Sequence, residues 1–184
     1  MTQENEDMAT YYGDHFAEQN ATDTIGSSSP TAGHRVSAGA GHGRIRFKRM
    51  FANVPDQMAA SEKIILGSFR SSDRIIEVLV THDDLSSGAS TYDLGIWKTG
   101  TSHDGAAVDA DVFEDGGDAA ALVARTDLFG GASLGNLDRG KTLHALCGVA
   151  ADPIEQYDLV FELKTGPADL GGSLLVEVQY TAGD

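Results

Sequence analysis

The sequence predicts a mainly β protein, an antiparallel β-sandwich preceded by an extended amino-terminal arm. Three observations carry that prediction. From Arg44 onward, apolar residues recur with a period of two, in short runs bounded by Gly, Ser, Asp or Pro and spaced as in sandwiches and barrels. Segments with helical character are few and short. The first 43 residues differ in composition from all that follows.

That arm, residues 1–43, opens with acids and no base: Glu4, Glu6, Asp7, Asp14, Glu18 and Asp23 precede any Lys or Arg. Beyond Phe16 it becomes a Ser-, Thr- and Gly-rich stretch too polar to bury a core. The sign then reverses over residues 35–49, where Arg35, Arg44, Arg46, Lys48 and Arg49 occur without an acid. The first 49 residues thus hold five bases against six acids, and residues 50–184 hold eight against twenty-two. The arm reads either as a disordered tail or as a segment that orders on a partner. Tyr11, Tyr12 and Phe16 favour the second reading, because aromatic anchors fill apolar pockets while the five bases face an acidic surface. Fully extended, 43 residues would reach on the order of 140 Å.

The body, residues 44–184, is expected to form the sandwich. "RIRFKRMF" places Ile45, Phe47 and Phe51 near one face with charges between them. "EKIILGSF" and "DRIIEVLVTH" are two strands split by the turn "RSSD". "TYDLGIW" alternates Tyr92, Leu94 and Ile96 against Asp93, Gly95 and Trp97. "DLVFELK" and "SLLVEVQY" repeat the pattern with Leu159, Phe161 and Leu163, then Leu174, Val176, Val178 and Tyr180. Only "DQMAASEK" (56–63) and "DAAALVART" (118–126) have helical character, and both are short.

Composition excludes several classes of function. A net charge of −15 disfavours nucleic acid as a partner. One cysteine, Cys147, permits no internal disulfide and no Cys-based zinc cluster, and reads as a small buried apolar residue. No apolar run approaches the ~20 residues of a membrane span. The first residues lack the order of a secretion signal, so synthesis in the cytoplasm is expected.

"GNLDRGKT", Gly135 to Thr142, spells G-x-x-x-x-G-K-[ST], the phosphate-cradling P-loop. Such a loop needs a buried parallel strand before it and a helix starting at the Lys-Thr. Here "TDLFGGASL" precedes it and Gly148 and Pro153 follow soon after, so a turn entering a strand from Leu143 to Val149 is expected instead. "DADVFEDGGD" (109–118) has Phe113 and Glu114 where an EF-hand needs oxygen and glycine. It reads as a solvated acidic loop, with an irregular cation site among Asp109, Asp111, Glu114, Asp115 and Asp118 as the alternative. "AGAGHGR" reads as a hinge. The six histidines show no metal-binding spacing, and His82-Asp83-Asp84 lacks a nucleophile elbow and more simply closes a strand. No enzymatic activity, cofactor or metal is expected.

The stretch 62–98 resembles a recurring element of the capsid decoration, or cement, proteins of tailed bacteriophages. There a strand with "LG" leads to a polar turn, then "RI" opens a strand and "D-x-L-x-x-G-x-S/T-x-D-x-G" opens another. Arg74, Ile75, Asp84, Leu85, Gly88, Ser90, Asp93 and Gly95 match it, and "GSLLVEVQYT" is similar to the last strand of that group. The likeness covers most of 60–182 and none of the arm. It implies a jelly-roll-like sandwich on the capsid exterior, bound across neighbouring major capsid protein subunits, with a homotrimer as the implied assembly and neither nucleic acid nor membrane as partner. The acidic body suits an outer surface. The rival readings are a head-completion or tail structural protein, and a carbohydrate- or receptor-binding sandwich that would use Tyr92, Trp97 and Tyr157.

Overall fold

Alternation of apolar and polar residues builds two sheets that bury one face each against the other. The computed structural model describes residues 44–131 and 133–183; Tyr11, Tyr12, Phe16, Arg35 and the hinge through Gly43 lie outside the described residues. In chain order the strands are β1 (Ile45–Val54), β2 (Lys63–Arg70), β3 (Arg74–His82), β4 (Thr91–Lys98), β5 (Ala107–Asp118), β6 (Val123–Asp127), β7 (Gln156–Thr165) and β8 (Gly172–Thr181). One helical turn, α1 (Leu143–Leu146), and a 3-10 turn at Asn136–Asp138 interrupt the connection from β6 to β7.

The sheets have strand orders β1-β8-β3-β6 and β2-β7-β4-β5. Every strand pair is antiparallel. Each sheet draws its strands from distant parts of the chain, which makes an eight-stranded double Greek key, the jelly roll. The sequence expectation of a jelly-roll-like antiparallel sandwich is met.

Leu159, Phe161 and Leu163 of β7 pack against Leu174, Val176 and Val178 of β8 and Tyr92, Leu94 and Ile96 of β4, all at most 2% exposed. Tyr92 stacks on Phe161 (centroids 4.9 Å, 23° between planes). Burying residues of this size contributes about 1.5–3 kcal/mol each, which is why these strands dominate the fold. Gly95 lies on the opposite face of β4, where β5 crosses so closely that a Cβ would stand 2.1 Å from the Ala110 carbonyl. No other residue fits there.

Several expectations from sequence are corrected. Residues 56–62 form turns around a single bridge from Met58 to Ala168, and Lys63 already begins β2; Gln57 and Ser61 take φ of 68° and 69°, because their amides bond instead to the Ala168 and Leu163 carbonyls. Residues 118–126 hold the end of β5, a turn and the start of β6, whose pairing with β3 overrides weak local helix preference. Residues 109–118 lie in β5 and not in a loop. The stretch from Leu143 to Val149 opens with α1 and ends in a turn instead of forming a strand, because the amides of Leu143 and His144 are taken by the carbonyls of Asp73 and Ser71.

Candidate interaction surface

The three places where chemistry was sought in the sequence resolve into structural roles. In the P-loop-like stretch, the Gly135 amide and the Lys141 Nζ both bond the Asp138 carboxylate, at 2.8 and 2.6 Å. The strand that precedes it, β6, is an antiparallel edge strand. The helix that follows is one turn long. No cradle of amides opens toward solvent, and the lysine is already paired.

His82 closes β3 with its ring buried edge-on to Tyr92 (5.1 Å). Its Nδ1 lies 2.7 Å from the Asp83 carbonyl, which fixes the proton on Nδ1, and Nε2 is buried with no partner. Burial holds its pKa below the ordinary histidine value, against the Asp83 carbonyl and the charges of Asp118, Asp83 and Asp84. It is a neutral core side chain.

A second histidine–carboxylate pair escaped the sequence reading. Asp158, 1% exposed on β7, accepts hydrogen bonds from Ser68 Oγ (2.6 Å), Thr99 Oγ1 (2.8 Å) and His103 Nδ1 (2.7 Å). Burial would raise its pKa, but the three hydrogen bonds outweigh that and hold it below the usual range. The serine donates to the carboxylate and not to the imidazole, so no nucleophile is activated. The cluster ties β2, β7 and the β4–β5 connection together. No spacing rule joins residues 68, 99, 103 and 158, so sequence carried no signal of it.

Cys147 is buried in the core as expected, and burial with the nearby Asp109 pushes its thiol up to about 12. Among the described residues no group of three His, Cys, Asp or Glu side chains is placed to hold a metal ion. The described residues also contain no helix long and apolar enough to cross a membrane. Tyr92, Trp97 and Tyr157, the aromatics a sugar-binding face would need, are all under 7% exposed.

Among the described strands, β1 carries the most exposed large apolar side chains. Its alternation does place Ile45, Phe47 and Phe51 on one face, but that face points to solvent, with 61%, 51% and 66% exposure. Met50 and Val54, of opposite parity, supply the core instead. Of the bases singled out in this strand, Arg49 pairs with Glu177 (3.1 Å) on β8, which also pairs with Arg125 (2.9 Å) from β6. Lys48 donates to the Ser68 carbonyl and lies over the Phe69 ring. Arg44 and Arg46 remain exposed. Arg46 borders an open groove of about 920 Å³ at the β1–β2 side, shared with Phe69, Arg70, Asp152 and Tyr180. The surface suited to a partner is therefore an edge strand that is both apolar and basic.

Comparison with models of protein families finds no match, and comparison with curated proteins by sequence finds none. Comparison of folds does. The chain is similar to a chain in the capsid of Ralstonia phage GP4, with a TM-score of 0.56 and 15% identity over 77% of this chain and 86% of that one. It is also similar to a chain in the capsid asymmetric unit of cyanophage Pam1, with a TM-score of 0.52 and 15% identity over 84% of this chain and 98% of that one. At this identity the likeness is one of fold.

Proposed function

We propose that this chain is a non-enzymatic structural protein of a tailed-phage virion, which decorates the capsid exterior and cements neighbouring major capsid protein subunits. The observation that carries the reading is the fold likeness to chains of two phage capsids, nearly all of whose length this chain matches. The exposed β1 strand supports it, because Phe47 and Phe51 present apolar surface to water of the kind that marks a docking face. In this reading the body assembles as a homotrimer, and each arm runs over neighbouring coat subunits. Attachment then gains from avidity, since each added contact is intramolecular once the first has formed.

In this reading the arm and the β1 strand that follows it supply two kinds of contact. Ion pairs at a surface contribute about 0–1 kcal/mol each and are screened by salt. Buried aromatics contribute about 1.5–3 kcal/mol each without that screening. Purified capsids incubated with the whole chain should therefore be decorated at low salt and remain partly decorated at high salt. Replacing Tyr11, Tyr12 and Phe16 together by Ala should lower occupancy more than neutralising Arg35, Arg44, Arg46, Lys48 and Arg49. Full decoration by both variants would remove the arm and the β1 bases from the account, and no decoration by the whole chain would remove the function.

A further inference from the structure

The two sides of the sandwich carry opposite charge. β1 lies beside β2, with Lys48 of β1 bonded to β2 and Met50 packed where a Cβ on Gly67 would go. The strand orders then leave β5 and β6 together on the far side. On the first side, Arg44, β1 and β2 hold six bases and no acid (Arg44, Arg46, Lys48, Arg49, Lys63 and Arg70). On the far side, β5 and β6 hold six acids (Asp109, Asp111, Glu114, Asp115, Asp118 and Asp127) against Arg125 alone.

We infer that the basic edge of one copy docks on the acidic edge of a second copy, in a head-to-tail contact. Four features favour this occupant. Pairing within one sandwich is partial: Lys164 takes Asp115, Arg139 takes Asp127, Glu177 takes Arg49 and Glu162 takes Lys63, which among the described residues leaves Arg44, Arg46 and Arg70 on one edge and Asp109, Asp111, Glu114 and Asp118 on the other without an ion pair. The acids of β5 are crowded: burial and Asp111 raise the pKa of Asp109, and burial, Asp115 and Asp93 raise that of Glu114. An incoming guanidinium relieves that crowding. Exposed apolar side chains accompany both edges, with Ile45, Phe47 and Phe51 on β1 and Leu122 (68% exposed) just after β5. Finally, a symmetric contact of β1 with β1 would set like charges opposite one another, which is unfavourable.

The contact is made by side chains more than by a continued ladder, because three register shifts break β5 against β4 and spoil its edge as a flat template. Since the two surfaces differ, each added copy leaves one edge of each sign open until a ring closes. The inference concerns the body's contact with itself and stands whether or not the coat is the outer partner.

Sedimentation of the full chain at about 50 mM and about 500 mM salt tests it, because exposed charges are screened within roughly a Debye length. Association is expected at low salt and should weaken at high salt. Arg44→Glu with Arg46→Glu should weaken it by about a hundredfold, and so should Asp115→Lys with Asp118→Lys, since like charges then meet. Each pair lies on exposed side chains, and an unchanged circular dichroism spectrum and melt verify the fold. Mixing the two variants should restore association, because each then meets an opposite edge. A full chain that is monomeric at low salt overturns the inference. So does an oligomer indifferent to the β5 reversal, or a mixture that stays monomeric. If the β1 reversal abolishes capsid decoration while the unaltered chain stays monomeric, the occupant of β1 is the coat and not a second copy.

Discussion

His82 shows how one side chain sets a pH response. Because burial lowers its folded-state pKa below the ordinary 6.5, the unfolded chain binds that proton more readily than the folded one. Its contribution is therefore complete above about pH 6.5 and is lost as pH falls below that value. Melts between about pH 7.5 and pH 5, a window that spans the ordinary histidine value, should show stability declining toward acid. His82→Leu should flatten that decline, since Nε2 has no partner to lose. Equal slopes in the two proteins would assign the response elsewhere. Gly95 makes a second case. Gly95→Ala forces a Cβ against backbone that cannot yield, so a loss of about 1–3 kcal/mol or more is expected in denaturant melts. Both residues lie in or beside the stretch that resembles phage proteins. Its other matched positions also serve packing: Leu85 is fully buried, Ser90 bonds the Pro167 carbonyl, and Asp93 pairs with Lys164.

At the scale of elements, the one-turn helix after the P-loop-like letters decides the opening ambiguity of that motif. Lys141 is spent on an exposed pair with Asp138, so Lys141→Ala should change stability by less than about 1 kcal/mol. Titration of the whole chain with magnesium-ATP should give no binding heat, and micromolar affinity lost on that substitution would restore the P-loop reading. The strands β4, β7 and β8 were legible from sequence because each alternates apolar residues against polar ones over its length. β5 was not, since its acids and glycines look like a loop and only pairing with β4 makes it a strand. β6 was hidden because Ala-rich residues favour helix until β3 offers a ladder. For β1, periodicity told which residues share a face but not which face turns inward. Ile45, Phe47 and Phe51 lose the core to Met50, which meets Gly67 of β2, and to Val54, which joins the same core cluster. The proposed partner surface was thus half legible: its residues could be named, its exposure could not. The Asp158 cluster joins residues up to 90 positions apart and depends wholly on topology.

At the scale of the molecule, every described residue of the core cluster lies at or beyond Met50. The described strands supply an extensive core of their own, so removing residues 1–43 should leave a cooperative melt and a β-type circular dichroism spectrum. Deleting eleven further residues, through Val54, is a different experiment. It strips β8 of its partner along the full length of β1, takes Met50 and Val54 from the core, and leaves the Glu177 carboxylate, 7% exposed, without Arg49. Loss of a core Met or Val costs on the order of 1–5 kcal/mol each, comparable with the whole stability of a domain. That product should be molten or insoluble. The contrast between the two truncations locates the boundary between arm and body. If removing residues 1–43 alone abolishes the cooperative melt, the arm belongs to the folded unit, as it would if one copy lent it to the next, and attachment would then have to be sought on the sandwich.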